Sequence, residues 1–104
     1  MEEIILNILM HSGEARNYSM EAIALAKAGE FTKARELIIK ADEKLGYAQS
    51  SQASLIQGEA ANEKIEFSLL LMHSQDHLMT TMTFKDLAVE LIEVHERIKS
   101  IKAQ

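Results

Sequence analysis

His73 and His77 stand four residues apart in the stretch LLLMHSQDHLMTTMTF, residues 69–84, with Asp76 between them. On a helix an i,i+4 pair shares one face, while Asp76, at i+3 from His73, lies near that face but rotated off it. Apolar residues surround the group, so three ionisable side chains occupy ground where a helix normally places core. Polar groups in such a setting must be paired or used. Three uses fit the spacing. Two imidazoles and a carboxylate can ligate a metal, and zinc sites on helices use this His spacing. The residue after His73 is Ser74 rather than Glu, however, so the zinc-protease motif is absent. One histidine can instead take a group covalently while its neighbours orient it. In the third use, the polar residues only fix the register of a coiled coil. Spacing leaves all three open.

Helices must position this group, because nothing else in the chain is periodic. The 104 residues contain no Pro and four Gly, and apolar positions recur at helical steps nearly throughout. A first helix is expected over about 3–28. Its candidate core stripe is Ile4, Ile8, His11, Ala15, Tyr18, Ala22 and Leu25. A flanking stripe, Ile5, Ile8, Ser12, Ala15, Ser19, Ala22 and Ala26, is made mostly of small residues that admit a close neighbour. Gly13 within it costs roughly 1 kcal/mol relative to Ala, so either a neighbour needs that space or the helix bends there. Lys27-Ala28-Gly29 is the expected end, with Lys in the last turn and Gly after it.

A second helix over about 31–61 carries Ala34, Leu37, Ala41, Leu45, Ala48, Gln52, Leu55 and Glu59 on one face, with Gly46 beside it as a possible bend. Its polar end, Gln52, Gln57 and Glu59, reads first as a solvated terminus and second as the lining of a shared site. A second break follows at 58–64, with Asn62 suited to a cap or turn. The third helix is expected from residue 65 or 66 to 101. Its seam of Leu70, His73, His77, Thr80, Phe84, Leu87, Leu91, Val94, Ile98 and Ile101 alternates steps of three and four without error. So regular a seam indicates a coiled coil, within the subunit or between subunits. The expectation is all-α: three long antiparallel helices in one domain spanning 1–104. Its thin core favours a homo-oligomer.

Bulk properties narrow the function classes. Net charge is −5 with no basic block, which argues against nucleic acid as a partner. No apolar run approaches the ~18 residues of a membrane span, and residues 1–17 lack the basic start and small-residue cleavage site of a secretory signal. With no Cys there is neither a disulfide framework nor thiol chemistry, which fits the cytoplasm. Other candidates read more plainly. His11 and Glu14, at i,i+3, form a local surface pair. His95 is a solvated position. Met72, Met79 and Met82 serve packing first and a docking surface second. Lys85, Asp86, Glu90, Glu93, Glu96, Arg97 and Lys99 are expected on the solvated side of the third helix.

The run MHSQDHLMTTM resembles the active-site signature of the lactose/cellobiose-type enzyme IIA of the bacterial phosphoenolpyruvate-dependent sugar phosphotransferase system. IILNILMHSGEARNYSMEAIALAKAGEF resembles that family's first helix and turn, and LIIKADEKLGYAQSSQASLIQGEA its second helix. The likeness covers nearly the whole chain, with no departure at the motif positions. It implies a homotrimer with the third helices packed together and His73 as the phosphoryl acceptor. The histidine-containing phosphocarrier protein is implied as donor, and a cysteine of enzyme IIB as the next acceptor. It further implies Asp76 as a metal ligand, three copies meeting near the threefold axis around one divalent cation, usually Mg2+. Gln75 and His77 match family positions near the phosphoryl group. The substrate class implied is a β-linked disaccharide of the cellobiose, lactose or chitobiose type. Against this stand two readings of the residues alone: a non-catalytic helical oligomeric adaptor, and a metal-binding protein using both histidines.

Overall fold

The computed structural model describes all of residues 1–104. Three helices follow one another: α1 (Glu2–Lys27), α2 (Phe31–Ala60) and α3 (Leu69–Ala103). They pack up–down–up into a rod of 61 × 20 × 19 Å. The core forms in two clusters along its length. One joins Ile8 and Ala15 of α1, Ala41, Leu45 and Ala48 of α2, and Leu78 of α3. The other joins Ala22 and Ala26, Ala34, and Ile92. Residue numbers rise together along α1 and α3, so these two helices run parallel, with α2 antiparallel to both.

Of the two stripes legible on α1, the small-residue one is buried. Ile5, Ile8, Ser12, Ala15, Ser19, Ala22 and Ala26 face inward, while Ile4, His11, Tyr18 and Leu25 sit at the rim. The reason is geometric: α1 touches both other helices, and only Ala- and Ser-sized side chains leave room for two backbones at once. Of the four buried hydroxyls, two are satisfied within their own helices, while Ser12 and Thr81 have no partner. Ser19 Oγ donates to the Ala15 carbonyl at 2.8 Å and Ser74 Oγ to the Leu71 carbonyl at 2.7 Å. α1 runs unbroken through Gly13. A Cβ there would lie 3.9 Å from His77 Nε2, an ordinary contact, so the glycine places bare backbone against that ring without forbidding an Ala.

The turns are set by backbone chemistry. Gly29 adopts φ 81°, the left-handed region natural to glycine at a helix end. Its N–H donates to Ala26 and that of Glu30 to Leu25, at 3.0 and 2.9 Å. Asn62, at φ 63°, turns the chain after α2. α3 starts at Leu69, four residues later than the 65 expected from periodicity. Ser68 is the reason: its backbone is extended, and its side chain accepts from Leu71 N at 3.0 Å. This cap is worth about 1 kcal/mol, and it leaves residues 63–68 as a non-helical connection.

On α3 the inward face is Leu71, Ser74, Leu78, Thr81, Ala88 and Ile92. The regular seam read from the sequence is a different stripe. A seven-residue repeat drifts by about 20° per heptad on a straight helix, and from His77 to Ile101 this carries it from the α1 side to the outside, while Leu70, His73 and Thr80 are exposed. His77 and Phe84 are therefore half-buried, whereas Leu87, Leu91, Val94, Ile98 and Ile101 are exposed. Nine of the seventeen exposed large apolar residues lie on α3, so the helix has an apolar face with no partner within the subunit. Lys85 departs from the solvated row expected for it. Its side chain is only 19 % exposed and pairs with Asp42 of α2 and Asp86, both at 2.9 Å. Arg35 of α2 likewise reaches Glu96 of α3.

Leu78 is wholly buried at the meeting point of the three helices. Leu78→Ala is expected to cost about 2–5 kcal/mol, read as a lower urea midpoint at fixed protein concentration. A loss below 1 kcal/mol would show that this level of the rod is not packed as described.

Candidate functional site

The first two turns of α3 after its Ser68 cap carry the site. His73 is exposed, and its ring lies parallel to that of His77, 6.1 Å between centroids and 13° between planes. Helical spacing accounts for the stack, since side chains four apart lie one above the other. His77 is half-buried against α1, near Gly13 and Arg16. Burial, then the neighbouring His73, then Arg16 hold its pKa below the ordinary histidine value. His77 is thus a neutral imidazole at pH 7, fixed in place behind a solvent-facing partner.

Gln75 points to the opposite flank. Its Oε1 accepts from Gln52 Nε2 of α2 at 2.7 Å. That leaves Gln75 Nε2, a donor, buried without a partner. The polar end of the α2 stripe therefore takes its second reading at Gln52: this side chain steers an amide beside the histidines, while Gln57 and Glu59 are exposed. Gln52 and Gln75 border a hollow of about 260 Å3, whose apolar lining includes Leu55, Ile56, Phe67 and Met72.

Asp76 is exposed and forms no ion pair within the subunit. It lies eleven residues before Leu87 and eighteen before Val94, close to three and five full turns. The carboxylate thus stands on the exposed apolar line of α3, facing away from the core. No group of three His, Cys, Asp or Glu side chains in the subunit is placed to hold a metal, so His73, Asp76 and His77 do not make a metal centre among themselves. Thr80, one turn on, donates to the Asp76 and His77 carbonyls at 2.9 and 3.2 Å.

The remaining candidates fall apart from this group. His11 pairs with Glu14 at 3.7 Å and packs on the Tyr47 ring, 5.1 Å between centroids; Glu14 also takes Lys44 at 3.1 Å. His95 lies far along α3, beside Phe31 and Ile98. The Met group divides. Met72 and Met79 are exposed, and Met82 packs on the core while its sulfur accepts from Gln49 at 3.6 Å. Arg16 drew no attention in the sequence, although it stands one turn after the already conspicuous Gly13 on the side of α1 that meets α3.

An up–down–up helical bundle that holds an exposed histidine over a half-buried one can present an imidazole to a docking partner. The chain belongs to the family described as the PTS system, Lactose/Cellobiose specific IIA subunit, whose model matches residues 3–96. It is 50% identical over 98 residues to the lichenan-specific phosphotransferase enzyme IIA component of Bacillus subtilis, covering 94% of this chain and 89% of that one. The cellobiose-specific enzyme IIA of Bacillus anthracis, known from a crystal structure, superposes with a TM-score of 0.93 at 42% identity, over 95% of this chain and 91% of that one. The chitobiose IIA of Escherichia coli, solved in solution in complex with HPr, superposes with a TM-score of 0.82 at 39% identity, over 94% and 95% of the two chains. The protein is thus a phosphotransfer component of the sugar phosphotransferase system. No helix is long and apolar enough to cross a membrane.

A histidine whose folded pKa is lowered binds fewer protons than it does unfolded, so stability rises with pH between the folded value and about 6.5. The contribution of His77 is present above that window and lost as pH falls through it. In metal-free buffer, wild-type stability is expected to fall between pH 7 and pH 5 more steeply than that of His77→Gln, as read by urea unfolding. Parallel curves would show that His77 is not desolvated in the fold.

Proposed function

We propose that His73 is the phosphoryl acceptor of a cytoplasmic sugar-uptake relay. It takes the group from the histidine-containing phosphocarrier protein, HPr, and hands it to a cysteine of enzyme IIB during uptake of a β-linked disaccharide of the cellobiose, lactose or chitobiose type. The observation that carries this reading is the histidine stack. His73 is open to a docking protein, and a neutral, half-buried His77 lies one turn behind it. An unprotonated imidazole nitrogen is a good nucleophile near pH 7. As the bond from phosphorus to His73 forms, the bond from phosphorus to the donor imidazole breaks. In the second step the P–N bond breaks as the P–S bond to the IIB thiolate forms. Neither step changes an oxidation state. Positioning and charge stabilisation are what the protein must supply, and the buried, unpartnered Nε2 of Gln75 and the imidazole of His77 are donors at hand. The family match and the HPr complex of the chitobiose relative support the donor.

The active assembly in this reading is a homotrimer with α3 innermost. The exposed line of Leu87, Leu91, Val94, Ile98 and Ile101 supports it, because a face this apolar is stabilised by being covered. Asp76 stands on the same line, so three copies would bring three carboxylates together. Like charges there repel, and a hard divalent cation such as Mg2+ neutralises them. One carboxylate per subunit fits such a shared site, since the subunit alone offers no ligand cluster.

With labelled phosphoenolpyruvate, enzyme I and HPr, the wild type is expected to take up label and His73→Gln to take up none while keeping its helical circular dichroism. Label retained in the folded variant would remove His73 from this role. Asp76→Leu addresses the assembly separately. In EDTA it is expected to sediment at the mass of three chains and melt at a higher temperature than the wild type, since apolar contacts replace repelling charges. Dissociation to single chains in EDTA would place Asp76 away from any shared axis.

A further inference from the structure

Along α3 from His77, a groove of about 410 Å3 opens between α1 and α3. Arg16 supplies its only charged side chain, is exposed, and forms no ion pair within the subunit. Three threonines line the same groove. Thr80 and Thr83 spend their hydroxyl protons on backbone carbonyls within α3. Thr81 does not: it is 2 % exposed, and its Oγ1 is buried with no partner. The groove brings the unpaired Arg16 guanidinium to the His77 imidazole, with the apolar wall of Phe84 and Leu87 beyond. A chain of net charge −5 that holds an unpaired arginine in the groove beside His77, whose ring stacks on that of His73, has the makings of an oxyanion site.

We propose that Arg16 is a phosphoryl-binding residue of this protein, its guanidinium neutralising phosphoryl oxygens that enter the α1–α3 groove as the group arrives on His73. This rests on His73 being the acceptor. The role is electrostatic. The bond from phosphorus to the donor nitrogen breaks as that to His73 forms, and Arg16 loses no proton in either direction. Its N–H groups stabilise negative charge spread over the equatorial oxygens of a loose transition state, which is where a fixed cation acts in phosphoryl transfer. A planar guanidinium can hold two such oxygens at once, and a lysine ammonium serves only as a point charge. The parallel course of α1 and α3 makes this possible, since it sets Arg16 at the height of the groove rather than at the far end of the rod.

The test uses the full-length chain with phospho-HPr as donor, comparing wild type, Arg16→Lys and Arg16→Gln. Transfer to the Gln variant is expected to slow by about 100-fold, and to the Lys variant by less, with sedimentation mass unchanged in both. In the wild type, the Arg16 Nε–H resonance should move on phosphorylation, and a merely structural arginine would not show this. Wild-type transfer rates in both variants, an unmoved Arg16 resonance, or a changed assembly mass in the variants would each overturn the proposal. Failure of the wild type itself to carry phosphate on His73 is a separate result. It would remove the acceptor on which the proposal stands.

Discussion

The close approach of α1 to both of its neighbours is the constraint on which the rest of the structure depends. Ser12, Ala15, Ser19, Ala22 and Ala26 give α1 almost no side-chain thickness on its buried face. Two long helices can therefore lie against it in a rod only about 20 Å across. Dispersion and apolar burial per residue are small for such side chains, and only seventeen residues are buried in the whole chain. What the arrangement gains is proximity. The His77 ring lies against the backbone of Gly13, and Arg16 reaches the flank of α3. Bulky residues on that face of α1 would thicken the core and push α3, with its histidines, away from the helix that backs them.

α3 consequently serves three directions at once. Its inward stripe packs on α1 and α2, its flanks carry Gln75 toward α2 and His77 toward α1, and its outer line is left apolar. The 20° drift of a seven-residue repeat reconciles these demands. At His77 the seam leans on α1, where that ring gains its partly desolvated setting. Further along, the same seam has rotated to the outside. The two ends of one stripe thus meet different surroundings with no change in the repeat itself. The ion pairs of Lys85 with Asp42 and of Arg35 with Glu96 pin α2 to α3 along the middle and lower rod, where the contact between those helices is otherwise slight.

Much of this was legible from residue order alone, because helical period survives any tertiary context. Three helices, the break at Gly29, the turn at Asn62 and both candidate stripes of α1 were all readable. Choosing between those stripes was not, since it depends on how many neighbours α1 has. The start of α3 was missed because periodicity extrapolates through Ile65, whereas a single side-chain hydrogen bond at Ser68 fixes the boundary. Lys85 was misplaced for a related reason: a lysine stem buries readily when carboxylates meet its tip, and Asp42 is forty-three residues away in sequence. The HSQDH group was conspicuous, but its supports were not. Gln52 and Arg16 belong to other helices, and only the fold brings them to α3.

The exposure of His73 suits the acceptor role proposed for it. A nucleophile that two unlike proteins must reach cannot be buried, yet an imidazole free in water has no fixed direction of attack. Mounting it on a rigid helix with a second ring stacked beneath answers both demands. The exposed ring costs no desolvation, and the lower ring restricts it to one flank. His77 can take the lower place because neutrality costs it little once it is half-buried and close to Arg16. In the proposed relay, an incoming phosphoryl group would reverse that balance. Its negative charge would favour protons on the groups around it, so a low-charge, partly dry setting such as that of His77 responds strongly to an arriving anion.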